Sequence, residues 1–217
     1  MSSLENKIKE QYAARNQMQD LYNSDYSRLA DEERLGKVKQ LLQNYHLRGA
    51  TILEIGAGQG DNVQMLLDNG FEPERIFLNE LLPERAAQAK IKHSHIFLYE
   101  GDALKINFNR TFDCVFQSTV FTSILDNSDR LKLANKMWEL LNPGGIILWY
   151  DFIYNNPSNP NVKKVSIRET RNLFPLAKKS EIIRLTLAPP IGRRVGKMYK
   201  FFNLKFLRSH ILAAFQK

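Results

Sequence analysis

Residues Thr51 to Asn62 read TILEIGAGQGDN. A short apolar run (Ile52, Leu53, Ile55) leads into three glycines, Gly56, Gly58 and Gly60, and an apolar helical pattern begins at Asn62. The stretch reads as strand, tight turn, helix, because glycine has no Cβ to oppose a sharp turn or the close approach of a ligand. A glycine turn between strand and helix is the usual nucleotide-cofactor seat of an α/β sheet. The dinucleotide fingerprint G-x-G-x-x-G needs Gly or Ala at position 61, which is Asp61. A carboxylate at the mouth of the helix repels a pyrophosphate, which takes bare N–H groups and the positive end of the helix dipole. The pattern present is E-x-G-x-G-x-G, with Glu54 two residues before the first glycine. A glycine turn that serves only the fold of some other α/β protein is the plain alternative.

Outward from this stretch, strands and helices alternate. The apolar runs predict strands at 51–55, 75–79, 95–99, 112–117 and 146–150, with helices at 61–69, 83–92 and 129–141 between them. The strands lack alternation, as in a parallel sheet covered on both faces, and repeated βαβ units imply a doubly wound sheet. Before the first strand, residues 4–30 and 31–45 read as helices and make an N-terminal helical cap over 1–48. After the fifth strand, 151–165 is an Asn/Pro-rich loop, and Ser166 with Glu169 forms a capping box for a helix at 167–174. Residues 181–187 and 210–216 read as the last strands. Residues 151–180 and 189–208 then stand as insertions on the substrate side of a domain at 49–217.

The 217 residues suit one domain, and 43% apolar and 25% charged residues are ordinary for a soluble globular protein. The single cysteine, Cys114, excludes a disulfide framework and sits in an apolar run as a core thiol. The polar N-terminus is no signal peptide and no long apolar run exists, so a cytoplasmic chain is expected. The net charge of +8 is uneven: residues 151–217 hold 14 Lys/Arg against 3 Asp/Glu, a net of +11. That suggests an acidic partner: a phosphorylated or nucleotide-linked substrate, an anionic lipid surface or nucleic acid. The alternative is a solvated basic face. No His/Cys/carboxylate cluster has metal-ligand spacing.

In a doubly wound sheet, ligands bind beyond the carboxyl ends of the strands. Glu80 closes the second strand, where an acid can accept both ribose hydroxyls. Asp102 and Ala103 follow the third, where Asp102 can accept from an adenine amino group. The competing reading makes Glu80 a surface acid and Asp102 a turn or N-cap residue. Gln117 and Ser118 close the fourth strand and Asp151 the fifth. His46, His93 and His95 precede strands or lie at the opposite edge and read as structural. His210 starts the last strand; if that strand is antiparallel, His210 lies at the ligand edge as a candidate base, against the plainer role of a packed histidine.

The segments ILEIGAGQG, LNELLPERAAQAK, GDAL, FDCVFQSTVF and LLNPGGIILWYDF, in this order over about residues 50–152, resemble class I methyltransferases that use S-adenosyl-L-methionine (SAM). The flanks WYDFIYNNPSNPNVKKVS, SIRETRNLFP, LTLAPPIGRRV and LRSHILAAF look like a bacterial subgroup of surface-polysaccharide and sugar-modifying clusters. The resemblance implies a Rossmann-like seven-stranded sheet with its last strand antiparallel. It implies SAM held by Glu54, Gly56, Ala57, Gly58, Gly60 and Asn62 at the glycine turn. Glu80 and Leu81 would take the ribose, Asp102 and Ala103 the adenine, and Gln117 and Ser118 the methionine part. Glutamate at the ribose position is a mild departure from the commoner aspartate. The function expected is O-methyl transfer to a sugar or similar small hydroxylated acceptor. RNA or another nucleic acid, or N- or O-methylation of a small metabolite, is the alternative. Asp151 or His210 would be the base and Tyr154 an orienting hydroxyl. Tyr22 and Tyr26 would line the acceptor site, and Arg168, Arg171, Arg193 and Arg194 would grip an anion. Residues 191–208 would form either a lid or a contact with an anionic membrane.

Overall fold

The computed structural model describes residues 24–47, 49–156, 159 and 161–217. Tyr22 and the helical reading over 4–23 lie outside the described residues. Strand β1 (Ile52–Ile55) runs between β2 (Ile76–Glu80) and β4 (Phe112–Ser118), parallel to both. With β3 (Phe97–Glu100), β5 (Leu141–Phe152), β6 (Lys179–Leu187) and β7 (Arg208–Gln216), they form a seven-stranded sheet of order β3-β2-β1-β4-β5-β7-β6. β7 is antiparallel to both β5 and β6. The expected Rossmann-like sheet with an antiparallel last strand is present. Coverage of both faces fails at the edge: Phe97 of β3 is 52% exposed. β5 begins earlier than its apolar run because Leu141 pairs with Phe112 before a register shift resumes at Ile146 and Cys114. That irregularity is why Asn142-Pro143-Gly144-Gly145 reads as a turn.

The helices are α1 (Asp25–Leu42), α2 (Val63–Asp68), α3 (Pro83–Lys92), α4 (Asn127–Glu139), α5 (Ile167–Leu173), α6 (Pro189–Val195) and α7 (Tyr199–Phe202). α1 starts at the Ser24 cap, whose Oγ accepts the Ser27 N–H at 3.2 Å. It therefore begins six residues before the expected helix at 31, and Glu33 and Arg34 fall in its body rather than its first turn. Ser166 caps α5 through the Glu169 N–H, but the Glu169 carboxylate does not close a capping box. It pairs instead with Arg130 at 2.6 Å.

One core layer holds Val38, Leu41 and Leu42 of α1 with Ile52, Phe116 and Leu148, so α1 shares the sheet's core. The opposite layer holds Leu133 and Met137 of α4 with Leu173 of α5, Ile147 and Trp149. Cys114 is fully buried, and burial pushes its thiol up, as expected of a core thiol. The ends of β1, β2, β4, β5 and β6 and the start of β7 meet at one edge, which gathers the glycine turn, Ser118, Asp151, Thr186 and His210.

Candidate functional site

Positive φ angles of 68° at Gly56, 61° at Gly58 and 76° at Gly60 wind the turn after β1, a region that side chains with a Cβ disfavour. The turn is also closely covered. A Cβ at Gly56 would stand 2.5 Å from Val120 Cγ2, and one at Gly58 would strike the Arg85 guanidinium. Glu80 staples the turn to β2: its Oε2 accepts the Gly58 N–H at 2.7 Å and its Oε1 the Leu82 N–H at 2.9 Å. Glu80 is thus buried and engaged, not a surface acid, and a ribose would share its remaining lone pairs. Asp102 caps the short turn after β3 by accepting the Leu104 N–H at 2.9 Å through Oδ1. Leu81 and Ala103 are half-buried beside these acids.

Glu54 lies between Leu78 and Phe116 on the neighbouring strands and is wholly buried. Its Oε1 accepts the Asn62 amide at 2.6 Å, and its Oε2 has no hydrogen-bond partner. Burial pushes the carboxyl up to about 7, with the Asn62 bond and the Arg34 charge opposing. Asn62 in turn accepts from Arg34 Nη1 at 2.8 Å. The turn is therefore tied to α1.

His93 departs from expectation. Its Nε2 stands 3.0 Å from the Gly60 carbonyl, so it touches the glycine turn. Lys92 beside it pairs with Asp61 at 3.0 Å, an exposed ion pair of little energetic weight.

Along the edge from the glycine turn, Arg34 lies 5.4 Å from the Tyr150 ring centroid, and Tyr150 stacks on His210 at 5.2 Å and 13°. Burial first, and then the Arg34 charge, lower the His210 imidazole to about 4, so it is neutral at pH 7. Its Nδ1 stands 3.0 Å from Ser209 Oγ, and Ser209 donates its hydroxyl proton to the Thr186 carbonyl at 3.3 Å. With that proton committed, Ser209 Oγ accepts Nδ1–H, and the lone pair is assigned to Nε2. Nε2 has no hydrogen-bond partner among the described residues.

Thr186 holds a φ of 62°, rare for a β-branched residue. It leaves the β6–β7 ladder, turning its N–H to Glu33 Oε2 at 3.0 Å and its carbonyl to Ser209. Thr119, after β4, is the second such residue, at 59°.

Other expected site residues are placed elsewhere. Asp151 is fully buried on the α4 face, where Oδ1 accepts the Thr122 hydroxyl at 2.7 Å and Oδ2 the Thr122 N–H at 3.2 Å. Burial pushes its carboxyl up to about 7, but it has no exposed surface to offer an acceptor, and it is withdrawn as a base. Gln117 is spent internally: its amide donates to the Tyr150 carbonyl and accepts the Val120 N–H at 3.0 Å, so it is not free for the methionine part. Ser118 is half-buried at the end of β4. Tyr26 is buried and donates to the Leu187 carbonyl at 2.9 Å, which makes it a structural post rather than an acceptor contact. Tyr154 is 48% exposed and makes no hydrogen bond among the described residues. The four arginines do not converge. Arg168 and Arg171 sit on α5, which packs against α4, whereas Arg193 and Arg194 sit on α6, which packs against α1.

Sequence reading missed Glu33, Arg34, Arg85, Ser209 and Thr186. Charges inside an exposed-looking helix read as a solvated face, and no local signal marks their long-range partners. Among the described residues, no group of three or more His, Cys, Asp or Glu could hold a metal ion, and no helix is long and apolar enough to cross a membrane.

Residues 52–145 match the family model described as a methyltransferase domain. The chain is similar in fold to N-methyltransferase NodS from Bradyrhizobium japonicum WM9 in complex with S-adenosyl-L-homocysteine. The identity is 16%, the TM-score 0.66, and the match covers 100% of this chain and 99% of that one. The SAM-bound amino pentose methyltransferase CalS10 from Micromonospora echinaspora, involved in calicheamicin biosynthesis, matches at 15% identity and a TM-score of 0.61. It covers 87% of this chain and 91% of that one. The glycopeptide N-methyltransferase MtfA matches at 16% identity and a TM-score of 0.59, over 84% and 90%. No curated protein matches at significant sequence similarity. The likeness to these solved structures shows a shared fold.

Proposed function

We propose that this methyltransferase uses SAM as donor and methylates a hydroxyl of a small saccharide-like acceptor, with His210 as proton acceptor. The observation that carries the proposal is the buried Glu54 Oε2 without a partner, beside a turn of three left-handed glycines. A buried carboxylate oxygen left unmatched is costly, and an ammonium group satisfies it. The α-ammonium of SAM is such a group. Glu80 would share its lone pairs with the ribose, Asp102 and Ala103 would face the adenine, and Gly56, Ala57, Gly58, Leu81 and Ser118 would line the cradle. When bound, SAM supplies a methyl group already activated by its sulfonium.

The chain's own part is alignment and proton removal. Nε2 of neutral His210 would accept the hydroxyl proton of the acceptor while SAM, when bound, would supply the methyl group. Ser209 and the Thr186 carbonyl hold the tautomer, and Tyr150 holds the ring plane. A second form of the reading is an amino acceptor, favoured by fold neighbours named as N-methyltransferases and an amino pentose methyltransferase. There His210 would take a proton from an ammonium or from the methylated amine.

The test is mass spectrometry of nucleotide sugars, amino sugars and reducing saccharides incubated with SAM, watching for one added methyl. His210→Gln should lower kcat about 10²–10⁴-fold and leave SAM affinity unchanged. Undiminished turnover in that variant removes His210 as the base.

A further inference from the structure

We infer that the segment from Pro189 to Arg208 is a docking surface for an anionic lipid bilayer. The segment has two faces. Inward, Tyr199 is buried with Tyr26 and Leu187, and its hydroxyl donates to Glu33 Oε2 at 2.5 Å while accepting the Leu187 N–H at 3.2 Å. Asn203 donates to Glu33 Oε1 at 2.7 Å and accepts from Arg208 at 3.0 Å. The segment is thereby clamped to α1 and to the end of β6, so its outer face is not waiting to close onto the protein.

Outward, Met198, Phe201 and Phe202 follow at helical spacing and are 54%, 81% and 40% exposed, and Leu204 and Phe206 beside them are 48% and 69% exposed. An exposed cluster of large apolar side chains marks an interaction surface.

Charge identifies the partner. From Pro189 to Arg208, inclusive, there are six Lys/Arg and no Asp or Glu. Lys197, Lys200 and Lys205 are exposed among the aromatics, as are Arg193 and Arg194. Aromatic side chains with interleaved lysines are what the boundary between headgroups and acyl chains selects, and each basic residue near an anionic leaflet strengthens partitioning about fivefold. The segment joins β6 to β7, so docking brings the His210 edge of the sheet close to the membrane surface. An acceptor presented at the lipid–water boundary would reach it there.

The test is flotation of the full chain with phosphatidylcholine vesicles and with vesicles containing phosphatidylglycerol. The wild type should float with the anionic vesicles only, and 0.5 M salt should release it, because screening weakens the lysine contribution. A Lys197→Glu/Lys200→Glu/Lys205→Glu variant and a Phe201→Ser/Phe206→Ser variant should each lose at least tenfold of the bound fraction. SAM affinity by calorimetry should not change in either, which confirms folding and separates this result from the methyl-transfer proposal. A wild type that floats with neither vesicle, or variants that float like it, overturn the inference. So does flotation seen only after removal of residues 1–23, which assigns the face to that segment. A concentration-dependent dimer dissolved by Phe201→Ser assigns the face to a second copy and overturns it as well.

Discussion

Glu54 is a carboxylate placed where the surrounding chain offers it one hydrogen bond and a pair of apolar neighbours, Leu78 and Phe116. Its charge is useful only when a cation arrives. Glu54→Gln keeps the shape, can still bond Asn62, and removes the charge. We expect SAM affinity to fall about tenfold to a hundredfold, the weight of a hydrogen bond to a charged group, measured by calorimetry at pH 8. In the absence of SAM the same variant should be more stable than wild type at pH 8 by ~2–3 kcal/mol, since no ionised carboxyl remains to be buried. Unchanged affinity would remove Glu54 from the cofactor cradle. The residue types of this cradle were legible in sequence: the three glycines, Glu54 and Glu80 all stand at the turn. What was not legible is that Glu80 spends one oxygen on the Gly58 N–H and the other on the Leu82 N–H, or that Asn62 leads to Arg34 across 28 residues of chain. Spacing predicts which strand end a side chain reaches. It does not predict whether the side chain faces the ligand edge or, like Asp151, the interior behind it.

At the scale of elements, α1 does two things from adjacent positions. Arg34 turns toward the glycine turn and Tyr150, and Glu33 turns toward the segment that crosses from β6 to β7. Glu33 accepts from Tyr199, Asn203 and the Thr186 backbone, so a single carboxylate holds the covering segment and the strained residue behind His210. Tyr199→Phe deletes one hydroxyl without opening a large cavity. It should destabilise the fold by about 1–3 kcal/mol, the range for leaving buried partners unmatched. The loss should be local: hydrogen exchange of 189–207 should rise while that of β1 and β4 stays unchanged, because the Tyr199 hydroxyl bonds Glu33 of α1 and Leu187 of β6. Exchange that rises uniformly would mean the clamp is an integral part of the core. The strands and α3 were readable from apolar runs and from Pro83. The start of α1 was not, because Asp25 to Glu33 mixes polar and apolar residues without a clean stripe, and its order comes from packing against β6, β7 and α6.

Across the whole molecule, three buried ionisable groups with large shifts dominate how stability follows pH near neutrality. Glu54 is raised from 4.5 to about 7 and Asp151 from 3.8 to about 7, both by burial, while His210 is lowered from 6.5 to about 4. Between pH 4.5 and 6.5 the native state keeps two carboxyl protons that the unfolded chain has released. Over the same window the unfolded chain keeps one imidazole proton that the native state has released. The balance of these three groups is one extra proton on the native state, so stability falls as pH rises, by at most about 1.4 kcal/mol per pH unit, and the His93 imidazole, also lowered by burial, offsets part of that fall just below pH 6.5. Between 6.5 and 7 the unfolded histidine has also lost its proton, and the slope doubles. The protein without cofactor should therefore be more stable at pH 5 than at pH 7.5, by on the order of 3 kcal/mol, or roughly 5–10 °C in Tm for a chain of this size. Asp151→Asn should reduce the slope below pH 6.5 to near zero, even though losing an acceptor for the Thr122 N–H lowers stability throughout. SAM should flatten the profile of the wild type as well, because its ammonium holds Glu54 ionised in the native state. Scanning calorimetry from pH 5 to 8, with and without SAM, measures all three effects. A wild-type profile that is flat or rising over that range contradicts the burial of these two carboxyls, Glu54 and Asp151, at this edge of the sheet.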